Sequence, residues 1–316
     1  MQPLAPIALS ILKTCLGVKH QETVLILSDE SKLDIGIEFY KSASPLSRRC
    51  FFISIPTVPW GYEPPKPVAS FLEHADVGIL VTGRSLSHTK ARRRASRKGA
   101  RIVSMPGVTA DSLVRTMDVN WQHMGNQSRK IADIFTIGTA GRLTTPSGTD
   151  LVFSLARMKG YADTGLCLEP GQFSNIPAGE GCASPAPHSA HGTLVIDGSF
   201  PEIGKLGTPV RLMVKQGYVA SIAGGAEAER VRRLLRPFGR HGKAIAEIGV
   251  GTNPKAKLTG TTLEDEKVLG TVHVALGNNL SFGGNVVVHC HFDGVLLKPT
   301  LTVDGKKVVD NGLIQV

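Results

Sequence analysis

The segment from Val286 to Asp293 reads VVVHCHFD and carries the densest set of chemically capable side chains. In a β-strand, alternate side chains face the same side, so His289, His291 and Asp293 would project together. Two imidazoles and a carboxylate spaced about 7 Å apart are costly to bury unless a partner satisfies them. A divalent metal is such a partner, because zinc, manganese, cobalt and ferrous iron bind these donors. An exposed polar strand face would also explain the pattern.

Three further residues lie in segments typical of functional sites. His273 lies in the apolar segment GTVHVALGNN, and Glu247 ends an apolar run just before a glycine-rich loop in AIAEIGVGTNP. Glu180 lies in SNIPAGEGCASP, a predicted loop of the kind that often carries function. Taken singly, the histidine is more typical of a core residue than of a ligand, and each glutamate is more typical of a solvated surface. Together with the HxHxD segment, they favour a metal centre in the C-terminal half.

The elements that must position these residues differ between the two halves of the chain. Before residue 140, the runs ETVLILSD, RRCFFISIPT, DVGILVTG and RIVSMPG alternate with helical segments, which is typical of a covered parallel sheet. After it, short strands joined by Gly, Asn and Asp turns indicate antiparallel pairing. The sequence therefore predicts an α/β domain over residues 1–140, with an open and mostly parallel sheet. It predicts an α+β domain rich in antiparallel sheet over residues 141–316.

Composition narrows the class of protein further. The 316 residues are 41% hydrophobic and 20% charged, and the sequence has no apolar run long enough to suggest a membrane span. The five cysteines are scattered without a CxxC pair, which argues against a disulfide framework and favours a reducing cytoplasm. Nothing in the sequence indicates a site for an organic cofactor.

The net charge of +10 is concentrated between Val77 and Ala110, where basic residues cluster without an acidic one. Such a cluster binds nucleic acid in some proteins, but no recognition motif accompanies it. The sequence favours a solvated helix face, a subunit interface or steering of an anionic substrate. A protein that binds only through this patch, with a structural metal site, is the non-enzymatic alternative.

Four motifs in order extend the metal hypothesis: NIPAGE with Glu180, EIGVGTNP with Glu247, GTVHVALGN with His273, and HCHFD with His291 and Asp293. This set resembles the M29 metallo-aminopeptidases, or aminopeptidase T, and also the 2,5-dihydroxypyridine 5,6-dioxygenases. The resemblance runs from about residue 75 to the end.

The aminopeptidase resemblance implies two adjacent ions of zinc, cobalt or manganese. Their ligands would be Glu180, Glu247, His273, His291 and Asp293. Glu180 or Glu247 would bridge the ions or take a proton from the attacking water, which makes both candidate catalytic residues. His289 is a third candidate, as an acid–base group, a further ligand or an orienting residue. The relatives also imply a homodimer.

The dioxygenase resemblance implies one ferrous ion held by His273, His291 and Asp293, the two-histidine, one-carboxylate arrangement. His88, His188 and His191 are then candidates for moving protons. The sequence departs from the aminopeptidases after His273, where ALGNNLSFGGN contains no tyrosine. Because both glutamates are present, the sequence favours a hydrolase acting on a peptide or another small molecule. The dioxygenase is the alternative.

Overall fold

The computed structural model describes residues 4–59 and 61–316. Helices form where the sequence has helical periodicity, and three of them begin at a residue whose side chain caps the first turn. Thr89, for example, accepts a hydrogen bond from the backbone nitrogen of Arg92 at 3.2 Å. The helices are α1 (Leu4–Ser10), α2 (Leu33–Ala43), α3 (Lys66–Leu72), α4 (Lys90–Arg97), α5 (Ala110–Thr116), α6 (Trp121–Ile137), α7 (Ala226–Leu235) and α8 (Thr262–Asp265).

The strands are short and are joined by turns in which glycine often adopts a positive φ. In chain order they are β1 (Thr23–Asp29), β2 (Arg49–Ile55), β3 (Val77–Val81), β4 (Arg101–Ser104), β5 (Ala140–Thr144), β6 (Asp150–Ser154), β7 (Gly160–Asp163), β8 (Phe173–Asn175), β9 (Glu180–Ala183), β10 (His191–Ile196), β11 (Ser199–Phe200), β12 (Gly204–Lys205), β13 (Val210–Lys215), β14 (Tyr218–Ala223), β15 (Ile245–Gly251), β16 (Val272–Gly277), β17 (His291–Leu296), β18 (Thr300–Val303), β19 (Lys306–Asp310) and β20 (Leu313–Ile314).

The first compact unit contains a parallel sheet in the order β2-β1-β3-β4-β8. The central strands β1, β3 and β4 are buried along nearly their whole length, as expected of a sheet covered on both faces. The unit comprises the described residues up to Asp118, together with Gly165–Ala178.

The second compact unit comprises Val119–Thr164 and Gly179–Val316 and contains two antiparallel sheets. The eight-stranded sheet has the order β14-β13-β10-β6-β5-β18-β19-β20. Its strand β13 alternates buried and exposed residues, so one face of that strand is solvated. The seven-stranded sheet has the order β12-β11-β17-β16-β15-β9-β7, and its central strands are buried on both faces.

Helix α6 packs on one face of the seven-stranded sheet, against β7 and β9. Two glycines permit this close approach. A Cβ atom at Gly160 would lie 1.9 Å from the carbonyl oxygen of Ala132, and one at Gly181 would lie 2.7 Å from that of Ser128. Residues of β9 that alternate with Gly181 therefore point to the other face.

The predicted fold class is confirmed, with a parallel sheet and helices followed by antiparallel sheets. The two compact units do not correspond to a single division of the chain at residue 140. Helix α6 belongs to the second unit, and Gly165–Ala178 returns to the first to add β8. Among the helices of residues 4–59 and 61–316, none is both long and apolar enough to cross a membrane.

Candidate metal centre

One face of the seven-stranded sheet collects the five predicted ligands. Antiparallel pairing places directly opposed side chains on the same face, and this face then continues at every second residue. The pairs that define it are Glu180 with Gly251, Gly249 with His273, Glu247 with Ala275, Ala275 with Asp293, and Gly277 with His291. Residues from four neighbouring strands therefore meet at one place.

Small residues between the ligands make room for them. The imidazole of His273 lies across Gly249, where a Cβ atom would come within 2.1 Å of Nε2. Ala275 separates Glu247 from Asp293, and Gly277 lies beside His291. A larger side chain at Gly249 would occupy the place of the His273 ring, so this strand needs glycine there.

Glu247 is the centre of the cluster. Its Oε1 lies 3.5 Å from Nε2 of His273, and its Oε2 lies 3.2 Å from Nε2 of His291. His291 Nε2 is also 3.2 Å from Oδ1 of Asp293, and His273 Nε2 is 3.2 Å from Oε2 of Glu180. Ligand atoms within 4.8 Å of one another form two groups that share Glu247: Glu180, Glu247 and His273, and Glu247, His291 and Asp293.

The loop after β16 sets the orientation of the His291 ring. Nδ1 of His291 lies 2.7 Å from the carbonyl oxygen of Asn278. Because a carbonyl oxygen only accepts, Nδ1 carries the hydrogen, and Nε2 is the nitrogen directed at the carboxylates. The Phe282 ring lies 5.7 Å from the His291 ring at an interplanar angle of 34°.

Within the cluster, the charges of neighbouring side chains shift pKa values in the direction opposite to the shift caused by burial. Burial lowers the pKa of both imidazoles, but the carboxylates of Glu180 and Glu247 raise the pKa of His273 well above its ordinary value. Asp293 and Glu247 do the same for the pKa of His291. Burial raises the pKa of Glu247, but the two imidazoles hold it well below its ordinary value. In the metal-free protein, this cluster therefore holds protons on nitrogen.

The donor set fits a divalent metal ion. His273 and Glu247 are 1% and 2% exposed, and burying such groups together is costly without a cation. Among the described residues, His273 Nδ1 and Glu180 Oε2 have no partner with hydrogen-bond geometry. Imidazole nitrogen with carboxylate oxygen suits the divalent first-row transition metals, and the ions displace the protons now held there.

Three charged residues near this cluster were missed by the sequence analysis. Lys267 is fully buried, and its Nζ lies 2.6 Å from Oε1 of Glu180, 2.8 Å from Oε1 of Glu266 and 3.1 Å from Oδ2 of Asp163. In LEDEKVLG, a lysine after acidic residues is typical of an exposed helix end, so composition does not reveal its burial. The only local signal is its position at the start of the apolar run that leads to His273.

Two local predictions were wrong. Strand β17 begins at His291, so residues 286–290 do not extend it, and His289 is exposed and outside both ligand groups. Asn279 explains the break, because its side chain accepts from the backbone nitrogen of Val286 at 2.8 Å and holds the segment as a loop. Glu180 is the buried first residue of β9 and does not lie in a loop.

The remaining candidate histidines lie outside the two ligand groups. His188 and His191 are exposed, and the His188 ring lies 5.9 Å from that of Tyr218. His88 is half-buried in the first unit, just before helix α4. In that basic segment, Arg94 and Lys98 pair with Glu73 at 2.5 Å and 2.8 Å, and Arg92 lies over the ring of Phe173.

Known proteins share this sequence pattern and fold. A family model described as NicX, 2,5-dihydroxypyridine 5,6-dioxygenase, matches residues 5–316. The 2,5-dihydroxypyridine 5,6-dioxygenase of Pseudomonas putida KT2440 is 27% identical over 262 residues, which cover 75% of this chain and 70% of that protein.

Two solved structures share the fold. The 2,5-dihydroxypyridine dioxygenase of Pseudomonas putida KT2440 has a TM-score of 0.86 at 20% identity and covers 98% of this chain and 96% of its own. Wild-type AmpT of Thermus thermophilus has a TM-score of 0.66 at 18% identity, with 99% of each chain covered. At these identities, the two structures establish the fold alone.

The family match identifies an enzyme, and the donor set fits a divalent metal ion. The chain belongs to the 2,5-dihydroxypyridine 5,6-dioxygenase family, and the predicted superfamily resemblance is confirmed. The preference for an aminopeptidase-like hydrolase was wrong, because the family model and the sequence relative both carry the dioxygenase description. The presence of Glu180 misled that prediction: one of its oxygens contacts the Lys267 ammonium, so a second metal ion is not needed to explain this carboxylate.

Proposed function

We propose that this chain is a mononuclear iron(II) dioxygenase that opens a dihydroxylated aromatic ring, with 2,5-dihydroxypyridine or a close analogue as its substrate. His273, His291 and Asp293 would hold the iron, as the resemblance of their motifs implies. The observation that carries the proposal is the buried imidazole and carboxylate cluster in a chain whose family model is that of the dioxygenase. When bound there, ferrous iron supplies the electron chemistry that activates dioxygen.

The protein's own residues supply orientation and a place for protons. The Asn278 carbonyl fixes the His291 ring, so that Nε2 faces the pocket. Glu247, whose two oxygens lie near both imidazoles, is placed to accept a hydrogen bond from a substrate hydroxyl at Oε1 or Oε2 and to orient it. His289, Glu180, His88, His188 and His191 stay candidates for further proton transfers.

The proposed setting follows from the same features. All five cysteines are free thiols, which fits a reducing cytoplasm. The basic segment around α4 would attract an anionic form of the substrate. A homodimer is proposed from the aminopeptidase resemblance. Light scattering on the purified protein, at twice the 33.6 kDa of one chain, would support it.

The test is reconstitution with Fe(II) under anaerobic conditions, followed by mixing with 2,5-dihydroxypyridine and ¹⁸O₂. We expect oxygen uptake equal to substrate loss, disappearance of the aromatic absorbance and a product that carries both labelled atoms. The variant Asp293→Ala should lose this activity, and His241→Ala, an exposed histidine of the same unit, should retain it. Iron-loaded protein that leaves the ring intact, or a product with a single label, would contradict the proposal.

A further inference from the structure

Among residues 4–59 and 61–316, Lys267 is the only lysine in the set of largest fully buried side chains, and it lies among carboxylates next to the candidate metal centre. Its Nζ approaches three carboxylates, those of Glu180, Glu266 and Asp163, within 3.1 Å. A single ammonium group thus lies in contact with three carboxylates, far from bulk solvent. An ammonium surrounded by carboxylate oxygens in this way resembles a bound cation more than an ordinary ion pair.

The backbone holds Lys267 in place. Its own nitrogen donates to the carbonyl oxygen of Glu264 at 3.0 Å, and its carbonyl oxygen accepts from the backbone nitrogen of Asn253 at 2.9 Å. Asp265, two residues earlier, accepts from the backbone nitrogens of Thr259 and Gly260 and fixes the preceding loop. The position of the ammonium is therefore built into the fold and does not depend on a flexible surface chain.

Glu180 connects this pocket to the metal centre. One of its oxygens lies 2.6 Å from Nζ of Lys267, and the other lies 3.2 Å from Nε2 of His273. Glu180, Glu247 and His273 would otherwise form a complete three-donor group beside the group of Glu247, His291 and Asp293. An ammonium already in contact with Glu180 repels a second dication and occupies the carboxylate oxygen that it would need.

We propose that Lys267 is a tethered monovalent cation that takes the place of a second metal ion and limits the pocket to one divalent ion. The inference rests on the proposed mononuclear function and assigns the cause of that stoichiometry to one side chain. Lys267 acts here as a positioning and charge-balancing residue, because nothing places its Nζ against the reacting atoms. Removing the positive charge would free Glu180 to bind a second ion together with Glu247 and His273, and the carboxylates of Glu266 and Asp163 beside it would add to the attraction.

The experiment measures Mn²⁺ bound per chain by equilibrium dialysis and elemental analysis, with the full-length protein. The wild type should bind one ion. Lys267→Gln should bind a second, with at least about a tenfold gain in affinity for it, whereas Lys267→Arg should stay at one because it keeps the charge. Lys215→Gln, an exposed lysine in the other sheet of the same unit, is the matched control and should bind one ion.

Electron paramagnetic resonance adds a readout that does not depend on turnover. One Mn²⁺ gives an isolated-ion spectrum, and two adjacent ions in Lys267→Gln should show spin coupling. A wild type that binds two ions, or a folded Lys267→Gln that still binds one, would overturn the proposal. If Lys267→Gln fails to fold, the wild type in a large excess of Mn²⁺ decides: an isolated-ion spectrum with one ion bound supports the proposal, and a second, spin-coupled ion contradicts it.

The two proposals fail in different ways. Absence of oxygen-dependent ring opening in iron-loaded protein would remove the proposed function but leave the Mn²⁺ stoichiometry intact. A second ion in the wild type would remove the role of Lys267, whatever the substrate proves to be.

Discussion

Each compact unit buries a cationic side chain, but the number of carboxylates that face the cation differs between the two units. In the first unit, Arg101 donates to both oxygens of Glu22 at 2.9 Å and 2.8 Å, and its Nε donates to the carbonyl oxygen of Leu16 at 3.0 Å. One cation meets one anion, and every contact is a directed hydrogen bond. In the second unit, one ammonium faces three carboxylates, beside two more carboxylates and two imidazoles.

The difference separates a structural ion pair from a site. A pair that is neutral and fully hydrogen-bonded needs nothing further, so it serves only to hold its strands and loops. A cluster with surplus negative charge is unfavourable by itself, and the protein tolerates it only because protons or a metal ion complete it. Balance of charge in the buried state, rather than the number of charges, marks the functional region.

The largest loss of activity should come from removing a proposed metal ligand in the second unit, where the buried charges are not balanced. Asp293→Ala or His291→Ala should reduce ring-opening activity by at least about 10⁴-fold, because the reaction has no route without the ion. Bound iron should fall in parallel, which elemental analysis would measure. His241→Ala serves as the control. Normal iron content with lost activity would show that these residues do not hold the metal.

The balanced pair should affect stability and leave metal binding unchanged. Arg101→Met leaves the half-buried Glu22 carboxylate without its cation, so we expect a loss of about 1–3 kcal/mol in the free energy of unfolding. Arg142→Met breaks a solvent-exposed pair with Asp150 and should leave the free energy of unfolding nearly unchanged. Urea denaturation measures both, and iron per folded chain should stay constant. A change in iron content in Arg101→Met would contradict the distinction between a structural ion pair in the first unit and a metal centre in the second.

The affinity of the candidate metal centre for its ion should depend on pH. Because the pKa values of His273 and His291 are raised, the metal-free protein holds protons there that an incoming ion must displace. Metal affinity should therefore rise with pH, by up to about 100-fold per unit if both protons are released together.

The same pKa shifts determine whether the stability of the metal-free protein rises or falls with pH. Protonation of the imidazoles stabilises it fully below the ordinary histidine pKa, and this contribution is lost as pH rises through the raised values. Mn²⁺ titrations between pH 6 and 8, with thermal melts of the metal-free form, would measure both trends. An affinity that does not change over this range would contradict the protonation state inferred for the cluster.

A smaller effect is expected from the space beneath His273. Gly249→Ala would place a methyl group 2.1 Å from the present position of Nε2, so the ring must move away from Glu247. We expect about a tenfold loss of metal affinity and about 1–3 kcal/mol of stability. Gly225→Ala is the matched control, since a methyl group there meets its nearest atom at 3.9 Å. Unchanged affinity in Gly249→Ala would show that His273 does not bind the ion.

The smallest effect should come from His289, which precedes the strand that carries His291. Because it is exposed and outside both ligand groups, His289→Ala should change activity by less than about threefold. Steady-state rates over a pH series would measure this. A large loss with a displaced pH profile would instead support the acid–base role predicted from the HxHxD spacing.

Much of the fold was predictable because apolar runs and turn residues mark the strands. The runs around Val24, Ile79 and Ile102 became the centre of the parallel sheet. Strand order was not predictable, because Phe173–Asn175 joins that sheet from far along the chain. Only tertiary pairing specifies such an addition, and the three-residue segment has no distinctive pattern of its own.

The sequence predicted the candidate metal-binding side chains but did not predict the buried charges beside them. Residue types and motif order indicated Glu247, His273, His291 and Asp293, which the sheet register brings together. Lys267 escaped prediction because a lysine among acidic residues usually lies in solvent. Its burial depends on the pairing of β9 with β7 and β15, which places Asp163 and Glu180 around it.

The donors come from strands far apart along the chain: Glu180 and Asp293 are 113 positions apart. Their meeting requires β17 to pair with β16. During synthesis, the pocket is thus completed only after the strand that carries His291 and Asp293 has emerged. A divalent ion that needs donors from all four strands can therefore bind only after this sheet has folded.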